Sequence, residues 1–307
     1  MHATEADVVA CYRLFLGREP DADGFKNYRT LVASGAHPLD DLVALFLNSS
    51  EYQKREADRR RRGERLETVD LGRFRMVVAP DWNAVNREVA ATRAYEPHVT
   101  RQVAARLRPG MAFVDLGANC GYFSLLAASS GARVHAFEPG ARNLWLLRRN
   151  AALNGFDIDI HPHAVAGREE LVAYDPIEGN GAISALGDGF PAEGQQVLRT
   201  VTLDGALGGR RVDAIKMDVE GAEGLVLDGA EAVLAHRPTL FAELAPASLG
   251  AVSGTSAASF LERLERMGYR LAIVPKNGAD PAFGPPAALL AQLERGGAGF
   301  VDLLAEA

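Results

Sequence analysis

Cysteine is nearly absent: Cys11 and Cys120 are the two in 307 residues. They fall in segments that read as separate units, so no disulfide framework is expected and a reducing cytoplasm is the simplest setting. Long apolar runs are missing as well. No uninterrupted stretch approaches the roughly 18 residues that a membrane span needs, and residues 1–7 carry acidic side chains rather than the apolar segment of a signal peptide. A soluble chain with no membrane span is expected. Basic charge is short too, with 33 Lys and Arg against 40 Asp and Glu, a net charge of -7. Sequence-independent nucleic-acid binding depends on cations facing phosphates, so a neutral or weakly polar partner is expected, and no nucleic acid. The dinucleotide-binding pattern G-x-G-x-x-G is also lacking after the strand where it would be sought, which disfavours a nicotinamide cofactor.

What is present is an ordinary globular composition, 48% apolar and 24% charged. The length admits one large folding unit or two unequal ones. From residue 5 to 52 apolar residues recur at helical spacing, Val8, Val9, Tyr12 and Phe15 first, then Leu42, Val43, Phe46 and Leu47. The turn formers of residues 17–24 reverse the chain between them. This stretch resembles a short helical domain of unknown function found in bacterial proteins, often beside glycan-modifying enzymes. Residues 54–65, with Arg59, Arg60, Arg61 and Arg62 in a row, read as a linker or a solvated helix end. The expected division is a helical unit and linker over 1–64 and a second domain over 65–307.

In the second domain strands and helices alternate. Residues 69–78 read as a strand pair around a tight turn, and 83–108 as one helix ended by Pro109 and Gly110. Apolar strands are expected at 112–116, 134–138, 158–161, 214–218, 240–244 and 269–274, with helices at 122–129, 143–154, 222–235 and 256–267, and a last apolar stretch at 300–304. Such alternation implies an α/β fold with a doubly wound, mostly parallel sheet. Between 170 and 209 the alternation lapses, with Gly179-Asn180-Gly181 and Gly187-Asp188-Gly189 marking an irregular insertion, flanked by residues 171–174 and 197–203, able to cover a substrate.

The first core strand runs into Asp115-Leu116-Gly117-Ala118-Asn119-Cys120-Gly121. Two glycines at a strand's carboxyl end let backbone approach a ligand closely, and the acid before them complements a cationic ligand such as the sulfonium or amino group of S-adenosylmethionine. Glu138 ends the next strand about twenty positions on, where an acid can accept bonds from both ribose hydroxyls. Lys216, Asp218, Glu220 and Glu223 cluster at a later strand end, and alternation puts Lys216 and Asp218 on one side. Asp218 is the candidate to orient an acceptor or take its proton, with Lys216 tuning its charge. Salt bridging by Lys216 and Glu220, and stabilisation of the helix start by Glu223, are the structural alternatives. His135, His161 and His163 lack metal-ligand spacing and are read as packing or polar contacts. No resident metal is expected; magnesium would draw on Asp218, Glu243 and one more oxygen.

Tyr95-Glu96, residues 114–121, Ala136-Phe137-Glu138-Pro139, residues 150–155, Ala164-Val165, Thr202-Leu203-Asp204 and, most specifically, residues 215–223 resemble the FkbM family of methyltransferases. The resemblance covers roughly residues 69–245. It implies a seven-stranded Rossmann-like sheet, S-adenosyl-L-methionine as cofactor, and O-methylation of a sugar, glycan or natural-product hydroxyl. By carry-over Glu96 would contact the methionine part, Asp115, Gly117, Asn119 and Gly121 would line its turn, Glu138 would hold ribose and Ala164 would border adenine. Cys120 falls in a variable slot. A homodimer contact or a protein dock through the helical unit is open. Two other readings stand beside this one, a noncatalytic binding module that keeps the fold, and a nicotinamide-dependent oxidoreductase.

Overall fold

The computed structural model describes residues 3–33, 38–61, 65–176, 181–186, 191–192, 194–297 and 299–307. The chain begins with helices α1 (Glu5–Cys11), α2 (Ala22–Ala33), α3 (Leu39–Leu47) and α4 (Ser50–Arg61). Val8, Tyr12, Phe15, Leu42, Phe46 and Tyr52 close a core of their own, so the helical periodicity marks buried faces. Most of the 54–65 stretch is the end of α4; residue 62 of the arginine run, and the side chains of 59–61, lie outside the described residues. Trp145 meets this bundle, its indole N–H donating to the Tyr52 hydroxyl at 2.7 Å.

Strands β1 (Glu67–Asp70) and β2 (Arg75–Val78) form an antiparallel pair. The single helix expected over 83–108 is instead two, α5 (Ala84–Thr92) and α6 (Pro97–Arg106). Proline cannot continue a helix that precedes it, and Arg93 and Glu96 take left-handed backbone at φ 57° and 40°. The break sets Tyr95 and Glu96 in the turn between the helices.

There follow β3 (Ala112–Leu116), α7 (Tyr122–Ser129), β4 (Arg133–Phe137), α8 (Ala141–Asn154) and β5 (Ile158–His161). The chain continues through β6 (Ala164–Val165), β7 (Leu171–Asp175), β8 (Ala182–Ala185), β9 (Gln196–Val201) and α9 (Leu203–Leu207). Next come β10 (Ala214–Met217), α10 (Glu223–Asp228), α11 (Glu231–Leu234), β11 (Thr239–Leu244) and α12 (Pro246–Ser253). The chain ends with α13 (Ala257–Arg266), β12 (Arg270–Ile273), β13 (Phe283–Gly284), α14 (Pro286–Gly296) and β14 (Val301–Glu306).

Eight strands make the main sheet, in the order β13-β12-β14-β11-β10-β3-β4-β5. Strand β14 runs antiparallel to both neighbours, while β11, β10, β3, β4 and β5 are parallel. The seven-stranded Rossmann-like sheet is therefore present, with the two-residue β13 added at one edge. Every residue of β3 and β10 is buried, as expected of central parallel strands covered on both faces. Helix α13 presents Phe260, Leu261 and Leu264 to one side of the core, each buried side chain worth about 1.5–3 kcal/mol.

Two expectations are corrected. The helix expected over 222–235 breaks into α10 and α11 around Gly229, whose backbone lies against Ala166 O with no room for a Cβ. The 170–209 insertion is largely regular: its strands β7, β8 and β9 join β6 in a second, four-stranded sheet. Its glycine-marked tips, 179–180 and 187–189, lie outside the described residues. One face packs Val172, Tyr174, Ile183 and Leu198, but the strands are short and the other face mixes exposed Leu171 with buried Ala173, which obscures the alternation.

Candidate functional site

Strand β3 pairs with β4 on one side and β10 on the other, so chain order reverses at its carboxyl end. Open α/β sheets bind ligands in the crevice outside such a switch point. Here the crevice is a cleft with about 840 Å³ of open space, including its mouth. Of the candidates named from sequence, Asp115, Gly117, Asn119, Glu138, Ala164, Lys216, Asp218 and Glu220 line it.

The glycine turn is built by its neighbours. Gly117 N–H and Ala118 N–H both donate to Phe137 O at 3.0 Å, tying the turn to the end of β4. Gly117 has φ +77°, and a Cβ there would stand 1.8 Å from Asp218 O. Glycine is thus required for the ends of β3 and β10 to meet. Gly121 does not line the cleft; at φ 95° it starts α7, with Leu147 behind it. Asn150 steadies the turn from below, its amide donating to Val77 O at 3.1 Å and to Cys120 O at 3.0 Å. Cys120 itself is buried, and burial pushes its thiol up to about 12.

Glu138 is held as a rigid acceptor. Its Oε2 accepts Asn119 N–H at 2.8 Å, and its Oε1 accepts Gly140 N–H at 2.7 Å. Burial raises its pKa to about 7 in spite of these donors. Asp115 lies deeper, its Oδ2 accepting the Ser124 hydroxyl at 2.6 Å, and burial raises it to about 6.

At the β10 end, Lys216 is 2% exposed, with Nζ 3.3 Å from Asp218 Oδ2 and 3.9 Å from Glu96 Oε2. Burial alone would depress this amine, but Asp218, Glu96, Asp302 and Asp115 outweigh it and hold the ammonium above its usual pKa. Glu96 does not line the cleft; it lies behind Lys216, and burial lifts its carboxyl to about 7. Glu243 joins Glu96 and Asp218, one oxygen from each lying within 4.8 Å of the others. Asp218 and Glu243 are the two oxygen ligands named for magnesium, Glu96 stands where the unnamed third would be, and the Lys216 ammonium lies beside them. Glu223 accepts from Val219 N–H and Gly221 N–H at 3.3 and 3.4 Å, so it orders the turn carrying Glu220, itself left-handed at φ 54°.

Sequence reasoning passed over Tyr122, Phe123, Tyr174 and Ile183 as wall residues, and gave His163 only a polar-contact role. Tyr174 and Ile183 come from β7 and β8, so the second sheet forms one side of the cleft. Nothing local marks them, because the walls are set by how the two sheets meet.

The raised carboxyls have a measurable consequence. A carboxyl whose folded pKa exceeds its unfolded one binds more protons when native, so its contribution to stability is lost as pH rises through the folded value. Glu96, Glu138 and Glu223 near 7 act this way through neutral pH. His135 and His161 are lowered, chiefly by burial, and oppose the trend below their ordinary 6.5. The ligand-free melting temperature is therefore expected to fall by several degrees between pH 6.5 and 8.5. A flat or rising profile in differential scanning fluorimetry would contradict these protonation states.

A doubly wound sheet with a cleft at its topological switch point defines an open α/β protein of the ligand-binding kind. The chain belongs to the methyltransferase FkbM domain family, whose model matches residues 115–271. Its sequence is 34% identical over 137 residues, 41% of this chain, to 31-O-demethyl-FK506 methyltransferase FkbM of Streptomyces tacrolimicus, and spans 47% of that relative. Among solved structures it is similar to a Pyrococcus abyssi tRNA (uracil-54, C5)-methyltransferase in complex with S-adenosyl-L-homocysteine. That match has TM-score 0.42 at 13% identity and covers 78% of this chain and 44% of that one. It is also similar to M. jannaschii TYW2 in complex with AdoMet, with TM-score 0.40 at 14% identity, covering 79% and 86%. Among the described residues no helix is long and apolar enough to cross a membrane.

Proposed function

We propose that the chain is an S-adenosylmethionine-dependent O-methyltransferase acting on a hydroxyl of a sugar, glycan or natural product. The observation that carries this reading is the pairing, in one cleft, of the doubly anchored Glu138 carboxylate with the Lys216–Asp218 ion pair. The donor set fits the cofactor. Glu138 Oε2 keeps lone-pair capacity for a ribose hydroxyl beyond Asn119 N–H, while Oε1 accepts both Gly140 N–H and, at 3.4 Å, the Asn143 amide. Asp115, Glu138, Asp218 and Glu220 give the cleft an acidic lining suited to a cationic ligand, whereas a pyrophosphate would meet Lys216 already held by carboxylates.

When bound, S-adenosylmethionine supplies a methyl group activated by positive sulfur. The protein's tasks are then alignment and proton removal. Glu138 would hold the ribose, Ala164 would border the adenine, and Asn119 and Gly117 would shape the turn beside the methionine part. Glu96 acts through Lys216 rather than at the cleft surface. Asp218 orients the acceptor hydroxyl or takes its proton, Lys216 pairs with it at 3.3 Å, and Glu220 stands beside them at the cleft wall. Tyr174 and Ile183 bring acceptor specificity into the second sheet. Residues 1–64 form a separate helical domain and 65–307 the methyltransferase domain, working in the cytoplasm.

Calorimetric titration with S-adenosylhomocysteine and with NAD tests the cofactor: adenosyl binding without NAD binding is expected, and the reverse would overturn the assignment. An acceptor screen then tests Asp218→Asn. Turnover is expected to fall about 10²–10⁴-fold, the usual worth of a general base, with S-adenosylhomocysteine affinity changed less than threefold. A fully active variant would remove Asp218 from the mechanism, and cofactor binding with no product across a broad panel would favour a noncatalytic binding module.

A further inference from the structure

On the parallel pair β4–β5, His135 is the register partner of Asp159, and Phe137 of His161. Ile158 and Ile160 pack on the α8 side with Leu147, so Asp159 and His161 point to the opposite face with His135. There, three ligand-type atoms converge. His135 Nδ1 is 3.1 Å from Asp159 Oδ2, His161 Nε2 is 3.6 Å from the same oxygen, and the two ring nitrogens are 3.4 Å apart.

We propose that His135, Asp159 and His161 form a zinc site at the edge of the main sheet, apart from the cleft. Zinc is bound at about 2.0–2.1 Å by imidazole nitrogen and carboxylate oxygen, so ligand atoms at tetrahedral corners stand about 3.3 Å apart. The three observed separations bracket that edge length. Two histidines and one carboxylate leave the fourth corner for water, and imidazole selects zinc over magnesium, which prefers oxygen. The rings are held in place: His161 stacks on Phe137 with centroids 4.2 Å apart and planes 8° from parallel. The site is also reachable. His135 and His161 are 14% and 19% exposed, Asp159 is 43% exposed, and His135 and Asp159 line a groove shared with Arg133, Arg210 and Arg211. Arg210 Nη1 lies 4.0 Å from Asp159 Oδ2, at the edge of ion-pair distance, and its side chain is 63% exposed. A bound ion would cross-link the edge strand β5 to β4, just before the chain reaches His163 and Ala164 at the cleft wall.

The test uses the untagged full chain, freed of metal by a chelator and dialysed, then titrated with zinc chloride by calorimetry, with magnesium chloride as the control. One zinc per chain at micromolar affinity or tighter is expected, with a melting temperature several degrees higher. His161→Ala should weaken binding at least tenfold. Should that variant fold poorly, Asp159→Ala, altered at a half-exposed side chain, carries the same expectation. Cobalt(II) in place of zinc should show the visible absorption of tetrahedral ligation. No zinc binding by the wild type, equal binding by well-folded Asp159→Ala, or an unchanged melting temperature would overturn the proposal. These readouts do not depend on methyl transfer, so the site stands or falls separately from the proposed activity.

Discussion

Lys216→Met is expected to destabilise the ligand-free chain by about 3–5 kcal/mol, the usual cost of leaving buried charge without its partner. The methionine occupies nearly the same volume, so the loss would be electrostatic rather than a cavity effect. Lys216 Nζ lies 3.3 Å from Asp218 and 3.9 Å from Glu96, and its residue is the register partner of Asp115 on β3. Without the ammonium, Glu96 and Asp115, already raised by burial, would rise further, and protons would replace the lost cation. The deficit should therefore shrink as pH is lowered from 8 to 6. In urea titrations at pH 7.5 the midpoint should drop with an unchanged slope. A loss below about 1 kcal/mol, the scale of an exposed ion pair, would show that Lys216 is not the counter-ion of this cluster.

Glu138→Ala should weaken S-adenosylhomocysteine binding by two decades or more. Two losses combine. A carboxylate accepting from hydroxyls is worth about 1.5–3 kcal/mol per bond, and about 2.8 kcal/mol corresponds to a hundredfold in affinity. Removing the acceptor also strands the N–H groups of Asn119 and Gly140, which Glu138 receives at 2.8 and 2.7 Å. A buried donor without a partner costs about 1–3 kcal/mol, so the turn should loosen and the melting temperature should fall in the free protein as well. Glu138→Gln keeps one acceptor oxygen and loses the charge; its affinity should fall between the other two, with a smaller loss of stability. Calorimetry and scanning fluorimetry on the three proteins separate the effects. Equal affinity in Glu138→Ala would remove Glu138 from the ribose site.

Much of the cleft was legible because its parts are local. The step from β3 into Gly117 and Gly121 is a turn that needs glycine within five residues. Lys216 on β10 and Asp218 just past its end are two apart and reach the same cleft. Glu96 was legible only as a member of a motif; the structure sets it behind Lys216, and sets Gly121 beneath the turn rather than at the cleft. The single helix read over 83–108 overlooked Pro97, whose ring forbids helical backbone just before it. The second sheet escaped notice because its strands are short and half exposed, so the alternation that marks a strand is diluted by the partner surface.

The sequence by itself determined the α/β winding, the glycine turn and the acid at the end of β4, since hydrophobic period and turn chemistry act over a few residues. Tertiary structure alone decided which distant groups share a charge or a ligand point. Strand order brings Glu243 of β11 beside Asp218 and Glu96, register sets Asp302 of β14 opposite Glu243, and parallel pairing aligns His135 with Asp159 and His161. Those meetings depend on which strand lies next to which and in what register, and the burial that shifts their protonation exists only once both faces of the sheet are covered.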